Sequence, residues 1–122
     1  MVSSPTEKTL AHLREQGYYL WCVERYVKQA GKFGKKIDLY HIIDYIAIKK
    51  GEIVGVQSTG VDFLGHDKKL CNDQRANTIA WLESGAKLVL YGWRKVKKVR
   101  GGKQMVYKPR IKWYSLEDFN DT

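Results

Sequence analysis

An aspartate within an apolar stretch is the first residue of the sequence that suggests chemistry. Asp44 lies within residues 42–48, which are otherwise Ile, Tyr and Ala, and a buried carboxylate there needs a charged or hydrogen-bonding partner. The next apolar stretch contains Gln57 and Thr59, which alternation places on one face of a strand. If the two stretches pair antiparallel around Lys50-Gly51, Asp44 and Gln57 become cross-strand neighbours. Two such oxygen ligands, with water and phosphate, suit Mg²⁺; an Asp hydrogen-bonded to backbone or to a lysine is the alternative.

The elements that must position these residues follow from capping signals and apolar periodicity. Ser4, Pro5 and Glu7 predict the start of a helix with a capping box, and Gly17 predicts its end. The Glu7 side chain is therefore expected to cap the helix rather than to act in catalysis. We predict a glycine-containing turn over residues 31–36, strands over residues 18–27, 37–49, 53–59, 87–96 and 105–114, and a second helix over residues 68–83.

The predicted order α-β-β-β-α-β-β indicates a single α/β domain over residues 1–122, with a mixed central sheet flanked by helices. Alternation over residues 87–96 predicts a strand with one buried face, and Pro109 predicts that the last strand lies at an edge. Trp93, Tyr107, Trp113 and Tyr114 interleave with the basic residues of this region. Core packing is the preferred interpretation of Trp93, and an exposed member of the set would stack on an unpaired base.

Positive charge is concentrated in one part of the chain. The formal net charge is +9, yet residues 1–86 contain 12 basic and 10 acidic side chains. Residues 87–113 contain ten basic side chains and no acidic one, so this basic hairpin favours a polyanionic partner over a merely solvated surface. The cations that we expect to contact nucleic acid are Lys68, Arg94, Lys95, Lys97, Lys98, Arg100 and Lys103.

Several function classes find no support in the sequence. No apolar run is long enough to span a membrane, and no signal-peptide pattern is present, so we expect a cytoplasmic protein without a membrane partner. Cys22 and Cys71 form neither a disulfide framework nor a metal-ligand pair, and the three histidines do not cluster. No nucleophile elbow, Walker loop or dinucleotide-binding glycine pattern occurs.

The α-β-β-β-α-β order, with an acid on one central strand and a polar triplet at the end of the next, resembles the PD-(D/E)XK nuclease superfamily. That superfamily includes archaeal Holliday-junction resolvases and many phage nucleases. Residues 38–47 (DLYHIIDYIA), residues 55–59 (GVQST) and residues 92–95 (GWRK) are similar to a phage-associated group with a Val-Gln-x-Thr strand. The resemblance covers residues 6–115 and implies a restriction-endonuclease-like fold.

The resemblance also implies roles for individual residues. Asp44 matches the strand acid, Gln57 stands at the second acid and Thr59 stands at the lysine of the (D/E)XK triplet. Both triplet positions therefore depart from the superfamily pattern. Gln57 retains an oxygen ligand but brings no charge, which lowers the expected metal affinity, and Thr59 supplies no cation at the phosphate.

Two residues are candidates for the missing groups. Lys69 lies at the start of the second predicted helix, to which the superfamily is known to relocate its lysine, and Glu24 lies on the first predicted strand. The alternatives are a solvated helix residue for Lys69 and a surface ion pair for Glu24. Asp38 is a further acid of the same hairpin.

These interpretations predict a metal-dependent DNA endonuclease that uses Mg²⁺ or Mn²⁺ and acts on phosphodiester bonds, including those of branched or junction DNA. Asp44, Gln57, Lys69 and Glu24 are the expected catalytic residues, with Asp44 and Gln57 as metal ligands. The alternative is a catalytically inactive nuclease-fold module that binds nucleic acid. The resemblance to resolvases further implies a homodimer, and a phage origin would place the protein in the host cytoplasm.

Overall fold

The computed structural model describes residues 4–27 and 34–120. Helix α1 (Pro5–Glu15) begins with the predicted capping box, in which the Glu7 amide lies 3.1 Å from the Ser4 hydroxyl. The Ser4 amide in turn donates to the Glu7 carboxylate at 3.4 Å. Glu7 is therefore a capping residue, as predicted. Gly17 follows the helix with a φ of +91°, a left-handed conformation that glycine adopts without steric cost.

A five-stranded mixed sheet forms the centre of the molecule. The described strands are β1 (Tyr19–Cys22), β2 (Arg25–Val27), β3 (Lys35–Ile37), β4 (Tyr45–Lys49), β5 (Glu52–Thr59), β6 (Lys87–Lys97) and β7 (Met105–Tyr114). The strand order of the sheet is β1-β4-β5-β6-β7, in which only β5 and β6 are parallel, and β2 and β3 form a separate antiparallel pair. The α/β class and the mixed sheet flanked by helices are thus confirmed.

Two of the predicted strands are interrupted, so the predicted element order was wrong in this region. Residues 18–27 divide into β1 and β2, and residues 37–49 form strand only at Ile37 and over β4. The first break occurs because the backbone amides of Val23 and Glu24 both donate to the Asp44 carbonyl oxygen. The second break is a tight turn over residues 38–44. The turn predicted at 31–36 lies outside the described residues at 31–33, whereas Lys35 and Lys36 belong to β3.

The connection between the parallel strands is longer and less regular than predicted. Helix α2 (Phe63–Lys68) starts five residues before the predicted helix, because the Asp62 side chain caps it by accepting from the Gly65 amide at 3.2 Å. A π-helical turn (Lys69–Asp73) then leads into α3 (Arg75–Glu83). A short 3₁₀ helix (Leu116–Phe119) follows β7.

The π-helical turn has two hydrogen bonds that account for its geometry. The Gln74 amide donates to the Lys69 carbonyl oxygen five residues earlier, at 2.7 Å. This bond bypasses the Leu70 carbonyl oxygen, which accepts instead from the buried Thr78 hydroxyl, also at 2.7 Å. The bulge is therefore compensated by a specific side chain on the next helix.

Helices cover both faces of the sheet, so β6 is buried on both sides where it pairs with β5. Leu13 of α1 packs against one face, together with Val54, Val56, Val89 and Tyr91. Phe63, Leu70 and Leu82 pack against the other, together with Leu88 and Leu90. The prediction that β6 buries a single face was wrong, since residues 88–93 are all buried. Burial of each such aliphatic side chain contributes about 1.5–3 kcal/mol.

The end of the β6–β7 hairpin extends beyond the rest of the sheet. Thr59 of β5 pairs with Gly92, and from Trp93 to Lys97 the register of β6 continues only with β7. Trp93 itself is core, as predicted, and its indole N–H donates to the Thr9 hydroxyl at 2.8 Å. β7 is an edge strand, which accommodates Pro109 as predicted. Among the described residues, no helix has the length and apolar character needed to cross a membrane.

Candidate metal centre and nucleic-acid interface

The β4–β5 hairpin brings Asp44 and Gln57 together, as predicted. Tyr45 pairs with Val56, and the next residues outward are Asp44 and Gln57, with Gln57 Nε2 2.8 Å from Asp44 Oδ1. The Asp44 amide donates to the Val56 carbonyl oxygen, and the Ser58 amide donates to Asp44 Oδ2 at 3.2 Å. Asp44 thus lies directly before β4 rather than within a strand, with only 9% of its surface exposed.

Glu24 reaches the same place through the break between β1 and β2. Its backbone amide donates to the Asp44 carbonyl oxygen at 3.3 Å, which anchors this part of the chain beside Asp44. Carboxylate oxygens of Glu24, Asp38 and Asp44 all lie within 4.8 Å of one another. Three carboxylates at that spacing form a donor set suited to a hard divalent cation such as Mg²⁺ or Mn²⁺.

Asp38 joins the cluster because the chain reverses direction immediately after it. The backbone groups of Leu39 and Ile43 exchange two hydrogen bonds, and Tyr40 and His41 occupy the centre of the turn. Their φ angles are +52° and +61°, left-handed values that cost about 1 kcal/mol or more for each residue with a side chain. The reversal returns the chain from Asp38 to Asp44 at the same end of the sheet.

Lys69, at the first position of the π-helical turn, points into the cluster. Its ammonium lies 3.2 Å from Asp38 Oδ2 and 3.3 Å from Gln57 Oε1. The alternative of a purely solvated helix residue is therefore wrong for Lys69. Its neighbour Lys68 is exposed and forms no described contact with the cluster.

Gln57 occupies the centre of this network. Its amide nitrogen faces both Asp44 and Asp38, the latter at 3.2 Å, and its amide oxygen faces Lys69. Direct ligation of a cation by Gln57 Oε1 therefore requires rotation of the amide. Thr59, on the same face of β5, is buried and supplies no cation.

The carboxyl groups of Asp44 and Asp38 differ in their protonation. Burial, followed by the hydrogen bond and charge of Asp38, raises the pKa of Asp44 to about 7. Burial opposes ionisation of Asp38 as well, but hydrogen bonds from Asp44 and Gln57 and the charge of Lys69 outweigh it and lower the Asp38 pKa. The pair thus holds one proton on Asp44 at mildly acidic pH, as two close acids do when one cation neutralises only one of them.

The cations predicted to contact nucleic acid lie mainly on the projecting ribbon of β6 and β7. β5 and β6 are parallel, so the ribbon extends from the same end of the sheet at which Gln57 lies. Other basic residues nearby have partners: Lys112 forms an ion pair with Asp67 at 2.9 Å, and Arg110 lies over the Phe63 ring. The exposed ribbon cations include the predicted Arg94, Lys95, Lys97, Lys98, Arg100 and Lys103, and also Lys108.

Sequence reasoning gave Asp38 too small a role, although its spacing from Asp44 was visible. The missing signal was the turn between them, because Tyr and His are unusual in left-handed turn positions. The candidate metal cluster found among the described residues contains no histidine: His12 contacts the Tyr91 hydroxyl, and His66 contacts the Asp62 backbone. No protein-family model, curated protein or solved structure gives a significant match to the chain.

Proposed function

We propose that this protein is a metal-dependent DNA endonuclease with a PD-(D/E)XK-type site. The observation that carries the proposal is the convergence of Glu24, Asp38 and Asp44 with the ammonium of Lys69 at one end of the sheet. Carboxylates beside a lysine are the combination that metal-assisted phosphodiester hydrolysis uses. Glu24 lies 20 residues before Asp44 and Lys69 lies 25 residues after it, so the convergence of these groups requires the fold.

The sheet topology supports the same proposal. β1, β4 and β5 form a consecutive antiparallel sheet, and β6 joins β5 in parallel after a helical connection. Together with α1, these elements follow the α-β-β-β-α-β order of the superfamily, with the small β2–β3 pair as an insertion. Asp44 precedes the second core strand and Gln57 lies near the end of the third, which are the positions that the resemblance assigns to the two acids.

Each residue of the site then has a distinct task. Asp44, Asp38 and Glu24 would hold Mg²⁺ or Mn²⁺, which lowers the pKa of a bound water and neutralises charge on the phosphate. Lys69 replaces the lysine that Thr59 does not supply, and its ammonium would stabilise the negative charge that develops on the scissile group. Gln57 holds Lys69 and the two aspartates in a fixed mutual orientation.

The projecting ribbon supplies the binding surface for DNA. A two-stranded β-ribbon fits the major groove of a duplex, and the exposed Arg94, Lys95, Lys97 and Lys98 would contact phosphates without reading sequence. Because the ribbon leaves the sheet at the end where the acidic cluster lies, one nucleic acid can engage both.

The decisive experiment measures Mn²⁺ binding and DNA cleavage in the same preparations. Wild type is expected to bind Mn²⁺ by calorimetry and to nick duplex or branched DNA, whereas Asp44→Asn loses both. Glu83→Gln, the same carboxylate-to-amide change at an exposed position of α3, serves as the control and retains both. If Asp44→Asn cleaves DNA at the wild-type rate, Asp44 takes no part in the mechanism.

A second function is favoured by one observation, the amide of Gln57 between the two aspartates. It places a neutral hydrogen-bond donor at the position where the superfamily has an acid, which suits a module that binds DNA without cleaving it. That module would bind DNA equally well with and without chelator, with a strong dependence on salt. If wild type does not bind Mn²⁺, that result would favour the DNA-binding module over the enzyme.

A further inference from the structure

An aromatic pocket lies between α3 and the turn over residues 38–44, on the face of the sheet that α3 covers. Its volume is about 280 Å³, and its lining comprises Tyr40, Asn77, Ala80, Trp81 and Ser84. The rings of Tyr40 and Trp81 are tilted relative to each other, with centroids 6.4 Å apart and an interplanar angle of 51°. Among these described residues none carries a charge, which distinguishes the pocket from the basic ribbon and from the acidic cluster.

The position of the pocket relative to the cluster follows from the places of Trp81 and Tyr40. Trp81 packs over Gly55 of β5, where a methyl group would lie 3.1 Å from the indole and 2.8 Å from the Ile43 side chain. Gln57 follows Gly55 on the same face of β5, at two residues or about 7 Å along the strand. Tyr40 lies two residues after Asp38. The Trp81 indole N–H donates to the Lys87 carbonyl oxygen at 2.7 Å, so the pocket lies toward the start of β6, on the side of the cluster away from the ribbon.

The conformation of the Tyr40 turn is costly and leaves a large aromatic ring in solvent. Both central residues of the turn have side chains and positive φ, although Gly, Asn and Asp are the residues that suit such positions. Tyr40 is 59% exposed, so packing recovers little of that cost. Strain of this kind beside a reactive site is characteristic of functional segments.

We propose that Tyr40 and Trp81 bind an unpaired nucleobase of the DNA substrate, next to the phosphate held at the acidic cluster. A neutral, mainly apolar pocket lined by two aromatic rings offers a face on which a base can stack, and Asn77 and Ser84 offer polar atoms to the edge of that base. The phosphate on the cluster side of that base would lie toward Lys69. This inference rests on the proposed function and narrows the substrate to DNA with at least one unpaired nucleotide at the cleavage position.

The test measures binding rather than cleavage. Fluorescence anisotropy in excess chelator compares a labelled single-stranded oligonucleotide with a duplex of the same length. Tyr40→Asn removes the ring but suits a left-handed backbone, so the variant is expected to fold, and Tyr40→Phe retains the ring. Tyr19→Asn, which removes an exposed tyrosine from the distant edge strand β1, is the matched control.

Tyr40→Asn is expected to weaken binding of the single strand about tenfold and to change binding of the duplex by less than about twofold. Tyr40→Phe and Tyr19→Asn are expected to change the affinity for either DNA by less than about twofold. On an oligonucleotide whose central residues lack bases, Tyr40→Asn and wild type are expected to bind equally. Equal losses on the normal and the base-free strand would show a backbone contact and overturn the inference, as would unchanged binding of the normal strand by Tyr40→Asn.

The two proposals fail in different ways. Cleavage of DNA by wild type, combined with unchanged single-strand binding by Tyr40→Asn, refutes the base pocket and leaves the nuclease. Ring-dependent binding of single strands by a protein that cleaves no DNA with any divalent metal refutes the nuclease and leaves the base pocket.

Discussion

The amide nitrogen of Gln57 lies 2.8 Å from Oδ1 of Asp44. The same nitrogen donates to Asp38, so a neutral donor bridges two carboxylates that a cation would otherwise join. The polar groups of the site therefore satisfy one another: the amide and Lys69 offset the repulsion of the acids, and a cation that binds there must compete with these contacts.

Replacement of Gln57 by glutamate tests that competition. Gln57→Glu adds a carboxylate in place of the bridging donor, so Mn²⁺ affinity is expected to increase about tenfold, while the metal-free protein loses about 1–3 kcal/mol of stability. Calorimetry and thermal unfolding with and without chelator measure the two effects. Gln104→Glu, at an exposed position of the ribbon turn, is expected to change neither. If Gln57→Glu binds Mn²⁺ no better than wild type does, the cation does not bind beside residue 57.

The affinity for Mn²⁺ is expected to depend on pH through Asp44. Because the pKa of Asp44 is raised to about 7, a proton occupies this ligand below that pH and must leave when the cation binds. Affinity should therefore increase by up to about tenfold per pH unit from pH 5.5 towards 7 and then level off. Titrations at several pH values, in buffers of different ionisation enthalpy, measure both the slope and the proton release. A flat profile would contradict the raised pKa.

Lys69 and Lys68 are adjacent cations with different expected roles. Lys69→Met removes the ammonium beside Asp38 and Gln57, so single-turnover cleavage is expected to slow by about 10²–10³-fold while Mn²⁺ still binds. Lys68→Met is expected to leave the cleavage step unchanged, to weaken DNA binding and to reduce the salt dependence of that binding. Equal effects of the two substitutions on the cleavage step would show that Lys69 acts only through overall charge.

The absence of a side chain at Gly55 permits the close approach of Ile43 and Trp81. Gly55→Ala forces these side chains apart, and a loss of about 1–3 kcal/mol in the free energy of unfolding is expected. Gly60→Ala is the matched control, because its nearest neighbour would be Pro5 Cγ at an ordinary 3.5 Å. Denaturant unfolding of both variants measures the difference, and equal stabilities would show that α3 moves away without cost.

The sequence predicted the elements whose signals are local and regular. The capping box of Ser4 and Glu7, the Lys50-Gly51 hairpin and the edge position of Pro109 are each confirmed. The pairing of Asp44 with Gln57 followed from that hairpin alone, because two strands joined by a tight turn have a fixed register.

The parts that sequence reasoning missed depend on contacts between distant segments. The apolar residues 39–43 have the composition of a strand but form a turn, and the amides of Val23 and Glu24 end β1 by bonding to Asp44. Tertiary hydrogen bonds thus override strand propensity. The full burial of β6 was missed for the same reason, since alternation in one strand does not reveal helices on both faces.

The π-helical turn makes the length of the connection between β5 and β6 as important as its composition. A residue inserted or deleted there would rotate α2 by about 100° relative to α3, because each helical residue turns by that angle. Lys69 and Phe63 would then leave their places together. A substitution in the site changes one chemical group. A change of one residue in the length of this connection would displace the Lys69 ammonium from the site and the Phe63 side chain from the core together.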